Sequence, residues 1–192
     1  MTSAEESPSG VVRYRVEPSR SRFLVKAFVT GMLSAFGHNP TIAVRKFGGE
    51  VEFSPDAPEK SSLNIQIKAD SLEVTDEVSD KDRREIERQM REEVLETARY
   101  PEIVFESTAV SVEPIMISQY RAKIVGKMTL RGITRNCEIS TQLIVSPDTL
   151  RANGEFPLRQ SDFNIKPVTA VGGTIKLKDE LKFSFDIVAY KQ

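Results

Sequence analysis

The sequence predicts an all-β fold, a single mostly antiparallel barrel or sandwich carrying one helix, on three observations. Apolar and polar residues alternate with period two over most of the chain, the rhythm of strands with one buried face. Turns rich in Gly, Pro, Asp and Ser separate the alternating segments. One stretch alone, residues 79–98, changes to helical spacing, and an amphipathic helix of that kind can cover an opening or an edge of a closed sheet.

In chain order, the first strand is expected around Tyr14 to Val16 and the second within the apolar run Phe23 to Val29. Glu50 to Phe53 and Leu63 to Lys68 follow, the latter with the clearest alternation. In the helical segment Ile86, Met90 and Val94 repeat at four-residue spacing, flanked by Leu95 and Ala98. Ser79 with Asp82 three residues on resembles a capping box with a shorter acid, Asp80 and Asp82 suit the start of a helix dipole, and Pro101 stops the run. Strands resume at Ile103 to Phe105 and at Ala122 to Leu130, where Ala122, Ile124, Gly126, Met128 and Leu130 share one face. They continue at Cys137 to Val145, Leu150 to Phe156, Thr174 to Lys178 and Leu181 to Ile187. The total is about eight to ten strands. Gly172-Gly173 precedes a strand rather than a helix, so it reads as a hairpin turn and not as a phosphate-binding loop. No repeat or low-complexity linker divides the chain, so residues 11–192 form one domain behind a short disordered tail, 1–10.

The 192 residues carry 27 basic and 28 acidic side chains, a net charge of -1. Both signs are interleaved, which argues against nucleic acid as a partner. A single cysteine excludes an internal disulfide and any multi-cysteine metal site within one chain. Cys137 shares a strand face with Ile139 and Leu143 and reads as a small core residue. The leading M-T-S-A-E-E-S-P-S-G has no apolar stretch and no transmembrane run occurs, so the expected location is the cytoplasm, without stable membrane insertion.

The only histidine, His38, stands in S-A-F-G-H-N-P-T-I. A zinc site would have to recruit carboxylates, and a catalytic pairing with Ser34 lacks any nucleophile signature, so no catalytic or metal residue is expected. Two readings stay open: a turn shaped by Gly37 and Pro40, or a polar group at the rim of an apolar channel, able to bond a quinone carbonyl. The acidic residues Asp70, Glu73, Asp76, Glu77, Asp80 and Asp82 lack EF-hand spacing and suit helix capping. Arg83, Arg84, Arg88 and Arg91 alternate with glutamates and read as a solvated, ion-paired face. A barrel of about eight strands is either filled by side chains or holds one small ligand. Ala122, Gly126, Ala152 and Gly154 on the inner face can leave room for a guest, which permits a tunnel without demonstrating one.

The pieces Ser71 to Thr75, Asp82-Arg83, Tyr100 to Thr108 (Y-P-E-I-V-F-E-S-T), Gly126 to Arg135 (G-K-M-T-L-R-G-I-T-R) and Ser161 to Ile165, in this order, resemble the YceI-like family of polyisoprenoid-binding proteins. The resemblance runs from about Tyr14 to the carboxy terminus. It implies a lipocalin-like antiparallel barrel of about eight strands whose hydrophobic channel holds a long isoprenoid such as a quinone tail. It further implies frequent homodimerisation and no established catalytic residue. Many members carry a signal peptide and act in the periplasm; this sequence shows none. The expected function is binding, transport or storage of an isoprenoid-type lipid, not catalysis, with no cofactor beyond a bound polyisoprenoid or quinone. The alternatives are a small enzyme using His38 at the channel mouth and a ligand-free structural or stress-related barrel. Candidate ligand-binding residues are Phe28, Leu33, Phe36, His38, Met90, Ile124, Met128 and Phe163.

Overall fold

The computed structural model describes residues 10–30, 39–170 and 175–192. The expected tail, apart from Gly10, and the Gly172-Gly173 turn lie outside the described residues. The first half of the chain forms its strands in broken pairs. β1 (Val12–Val16) and β2 (Arg22–Lys26) are separated by a 3-10 turn at Pro18–Arg20, where the Ser19 N–H donates to the Glu17 carboxylate at 3.1 Å. The short β3 (Val29–Thr30) follows, then β4 (Thr41–Val44) and β5 (Phe47–Phe53). β6 (Ser62–Lys68) and β7 (Leu72–Val74) are broken by a turn at Ala69–Ser71. Tyr14 faces Val51 and Leu24 faces Ala43, so β1–β2 lies antiparallel along β5–β4 on both sides of the breaks. Phe47 faces Ile67 and Ile42 faces Val74, so β5–β4 runs likewise along β6–β7. Each broken pair is thus one long bent strand, and the bends supply the curvature that a closed sheet needs.

The second half has long hairpins: β8 (Glu102–Met116), β9 (Gln119–Leu130), β10 (Ile133–Val145) and β11 (Thr149–Arg159). β12 (Thr169–Ala170) and β13 (Ile175–Leu177) join β3 in a small separate sheet. The last strand, β14 (Glu180–Lys191), pairs with β11 on one side; on the other it pairs with β1 (Val16 opposite Ala189) and β2 (Phe23 opposite Phe185). That double pairing closes an antiparallel barrel of 8 strands. Closure pairs the long strands on both sides and leaves a free edge at β7, which pairs with β4 alone.

The alternation read from the sequence decides the two faces. On β9, Ala122, Ile124, Gly126, Met128 and Leu130 are buried while Lys123 and Lys127 are exposed. Outside, cross-strand pairs such as Lys123–Glu138, Arg13–Glu52 and Arg151–Asp186 account for the interleaved charges; each exposed pair contributes at most about 1 kcal/mol. Inside, Phe156 stacks on Phe183 at 5.0 Å, and Phe23 meets Phe183 edge-on at 5.9 Å.

The helix α1 (Asp80–Gln89) is shorter than the expected 79–98. Ser79 caps it: its Oγ accepts the Asp82 N–H at 3.1 Å and donates to the Asp82 carboxylate at 2.6 Å, the shorter acid reaching the cap hydroxyl. The backbone then widens into a π-type turn, Met90–Val94, closed by Leu95 N–H to Met90 C=O at 2.9 Å, and Glu96 at φ 49 ends it. The widened turn lets Met90 and Leu95 both reach the core.

The helix covers both an opening and an edge. Val74, on the strand β7 that pairs only with β4, donates its N–H to Glu87 Oε1 at 3.1 Å, and Arg83 Nη1 donates to the Val74 carbonyl. Arg83 also donates to the Asp76 carbonyl at 2.9 Å. Arg83 is therefore a docking residue and not part of the solvated face expected from the sequence; Arg88, bonded to Glu85, Glu92 and Glu93, does belong to that face. Among the described residues no helix is long and apolar enough to cross a membrane.

Candidate functional site

Inward alternation around a closed barrel makes an apolar interior, and small residues decide whether it is full. It is not. A cavity of about 110 Å³ lies within the barrel, walled by side chains that include Val112, Ile124, Ile139, Leu143, Ala152 and Phe156. Among the described residues its polar lining is Ser61, Ser62 and Thr141. The hydroxyl of the buried Thr141 donates to the Asn153 carbonyl at 2.8 Å.

A second cavity of about 360 Å³ lies between the barrel end and the helix. Ile86, Met90, Val94 and Leu95 roof it, Leu130, Leu158 and Ile165 lie opposite, and Val25, Ala27, Val29, Ile42, Val44 and Val74 form a side. Phe23, Ile67, Ile103 and Met128 line both cavities. The two are thus adjoining chambers on either side of four shared apolar side chains, one of them a flexible thioether.

Of the site residues expected from the sequence, Ile124 lines the barrel chamber, Met90 the chamber under the helix, and Met128 both. Phe28 is not on the wall. Val25, Ala27 and Val29 face the chamber, so the alternation turns Phe28 away, and its carbonyl accepts the Lys178 N–H at 2.7 Å. Phe163 is buried in the 3-10 turn Gln160–Phe163 but lines neither chamber; it is a packing residue. Leu33, Phe36 and His38, and Ser34 with them, lie outside the described residues. Residues not anticipated include Ile86, Asp76 and Gln160, which line the larger chamber.

Cys137 is half-buried opposite Gly126 and packs against the core. Burial, and then the neighbouring Glu138 charge, push its thiol pKa up. Because the thiolate is the reactive form, maleimide labelling at pH 7 is expected to run severalfold slower than for a free cysteine and to accelerate as pH rises through the elevated pKa. Labelling of folded protein at the free-thiol rate would contradict this.

Comparison with known proteins gives a consistent result. A family model described as the YceI-like domain matches residues 14–189. Protein YceI of Escherichia coli O157:H7 is 28% identical over 149 residues, 73% of this chain and 71% of that protein. Among solved structures, BcnA of Burkholderia cenocepacia superposes with a TM-score of 0.69 at 19% identity, covering 90% of this chain and 98% of BcnA. The Campylobacter jejuni YCEI protein gives 0.60 at 14% identity, covering 79% and 84%. The two structures share the barrel fold.

Proposed function

The chain belongs to the YceI-like domain family, and from that premise we propose that its barrel binds and carries or stores one long, slender isoprenoid-type lipid, its chain laid through both chambers. The observation that carries this reading is the pair of adjoining, mostly apolar chambers with Phe23, Ile67, Ile103 and Met128 as their shared wall, which side-chain movement would have to open for one chain to run through both. An extended flexible chain fits such a shape better than a compact ring system does. Burial of about 300 Å² of apolar ligand surface is worth roughly 7 kcal/mol, from which lost ligand freedom subtracts. Affinity of this origin needs no catalytic machinery. Among the described residues the walls supply apolar surface rather than paired titratable groups, in keeping with a carrier.

Native purification followed by organic extraction and mass spectrometry is expected to recover a long-chain isoprenoid lipid at near one molecule per chain. A clean extract, combined with no uptake of added geranylgeraniol, overturns the reading.

A further inference from the structure

The hairpin of β8 and β9 outruns its neighbours at the end of the barrel away from the helix. β6 pairs with β8 only from Lys68 opposite Glu102 to Asn64 opposite Glu106. Past the bulge between Ser107 and Ala109, β8 continues to Met116 with β9 as its one strand partner among the described residues, and the turn Pro58–Lys60 packs beside it. Ile117 and Ser118 connect the two strands. Ser118 sits at φ 59, and its carbonyl accepts the Val145 N–H at 2.9 Å, which ties the tip to β10. Hairpin turns favour Gly, Asn and Asp. This one instead carries Ile115, Met116 and Ile117, exposed by 49%, 60% and 95%.

The geometry says what kind of partner fits such a tip. Successive strand residues point to opposite faces, and Ile117 stands in the turn, so the three side chains project to both sides and forward. A folded partner laid on the sheet would cover one face, whereas a fluid apolar medium surrounds all three. The tip is also continuous with the barrel chamber. Val110 and Val112 on the overhanging part of β8, both half-buried, line that chamber, as does half-buried Leu63 at the start of β6. An apolar surface therefore runs from the tip along the seam between β8 and β6 to the chamber. Ile144, exposed on β10 opposite Gln119, widens the patch. Charges near the tip are of both signs, with Glu113 opposite Arg121 and Glu59 next to Lys60, so no single-sign field calls for a charged partner.

Resting on the carrier reading, we propose that this barrel end docks on a lipid bilayer by inserting the tip Ile115, Met116 and Ile117 among the acyl chains. Docking brings the seam at Leu63, Val110 and Val112 to the membrane surface, where an isoprenoid enters or leaves the chamber. The attraction is apolar contact, so a zwitterionic membrane suffices and salt does not release the protein.

The test floats the full chain with phosphatidylcholine vesicles at low and at high salt. The parent chain is expected to partition onto the vesicles at both. Ile117→Asp should weaken partitioning about tenfold or more, the equivalent of 1.4 kcal/mol, with an unchanged melting temperature because the replaced side chain is almost fully exposed. Asn136→Asp adds the same charge at an exposed site towards the other end of β10 and should leave partitioning as it is. Uptake of geranylgeraniol from the vesicles should slow in Ile117→Asp by a similar factor. No partitioning of the parent chain, equal partitioning of parent and Ile117→Asp, release by high salt, or uptake at the parent's rate overturns the proposal. A parent dimer that Ile117→Asp makes monomeric in light scattering also overturns it, because a second copy then covers the tip. Vesicle binding that depends on Ile117, with no uptake of the alcohol by either protein, keeps the docking surface and overturns the carrier reading alone.

Discussion

Ala152→Leu is expected to strengthen the fold and weaken ligand binding together. Ala152 stands on β11 opposite Leu143 of β10 and Ile187 of β14, facing the chamber of about 110 Å³. A leucine there fills space now empty, and a filled cavity of this kind adds about 0.5–2 kcal/mol, or roughly 2–6 °C in Tm for a chain of this size. The same side chain removes the room that the far end of a long ligand would occupy. Geranylgeraniol should lose about tenfold or more in affinity, whereas geraniol, short enough for the chamber under the helix alone, should lose little. Thermal melts of ligand-free protein and displacement titrations with the two alcohols read the two effects separately. A variant that is more stable yet binds the long alcohol unchanged would show that the barrel chamber takes no part in binding.

The strands that the sequence revealed most fully are those whose alternation is never interrupted. β9 keeps one phase from Ala122 to Leu130, so every inward residue was legible. β8 was legible only to Phe105, although it runs to Met116, because a register shift between Ser107 and Ala109 flips the parity: Phe105 faces in, and beyond the shift Val110 and Val112 do. A one-residue bulge exchanges the two faces, so period two counted across it cancels. β4 and β7 are too short, at four and three residues, to show a rhythm at all.

The site was legible in character more than in membership. Inward small residues signalled room inside, and Ile124, Met128 and Met90 lie on the chamber walls. Phe28 was misplaced because Ala27-Phe28-Val29 is uniformly apolar, and a uniform run carries no parity; only the pairing of Val29 with Leu177 and the walls on either side fix which way it faces. Gln160 and Asp76 were invisible for a different reason. Their partners, Lys178 and Thr41, are brought to them by tertiary closure, and nothing local to R-Q-S-D-F or V-T-D-E-V announces a residue on a chamber wall. Arg83 likewise looks like its neighbours on the helix until the open edge at Val74 lies beside it.

The barrel wall itself makes the sharpest stability prediction. Gly126 faces inward on β9 between Ile124 and Met128, opposite Ser107 and beside the bulge in β8. A Cβ there would come within 2.4 Å of the Glu106 carbonyl oxygen and 2.5 Å of the Phe105 ring. The ring could swing, but the carbonyl could not retreat without moving β8, which is held by β6 through Asn64 opposite Glu106 and Ile65 opposite Phe105. Gly126→Val is accordingly expected to destabilise by about 3 kcal/mol or more, lowering Tm by roughly 6–12 °C. Gly48→Ala is the matched control: this outward glycine on β5 has nothing within 4 Å of an added Cβ, so its loss of unfolded-chain freedom should leave stability level or slightly higher. Equal melting temperatures for the two variants would mean that the wall relaxes freely around position 126. An alanine already carries the Cβ that meets both groups, so Gly126→Ala should also lose stability; because Phe105 lines the barrel chamber, any inward swing of its ring should weaken long-chain binding in the same direction as Ala152→Leu, but with stability falling rather than rising.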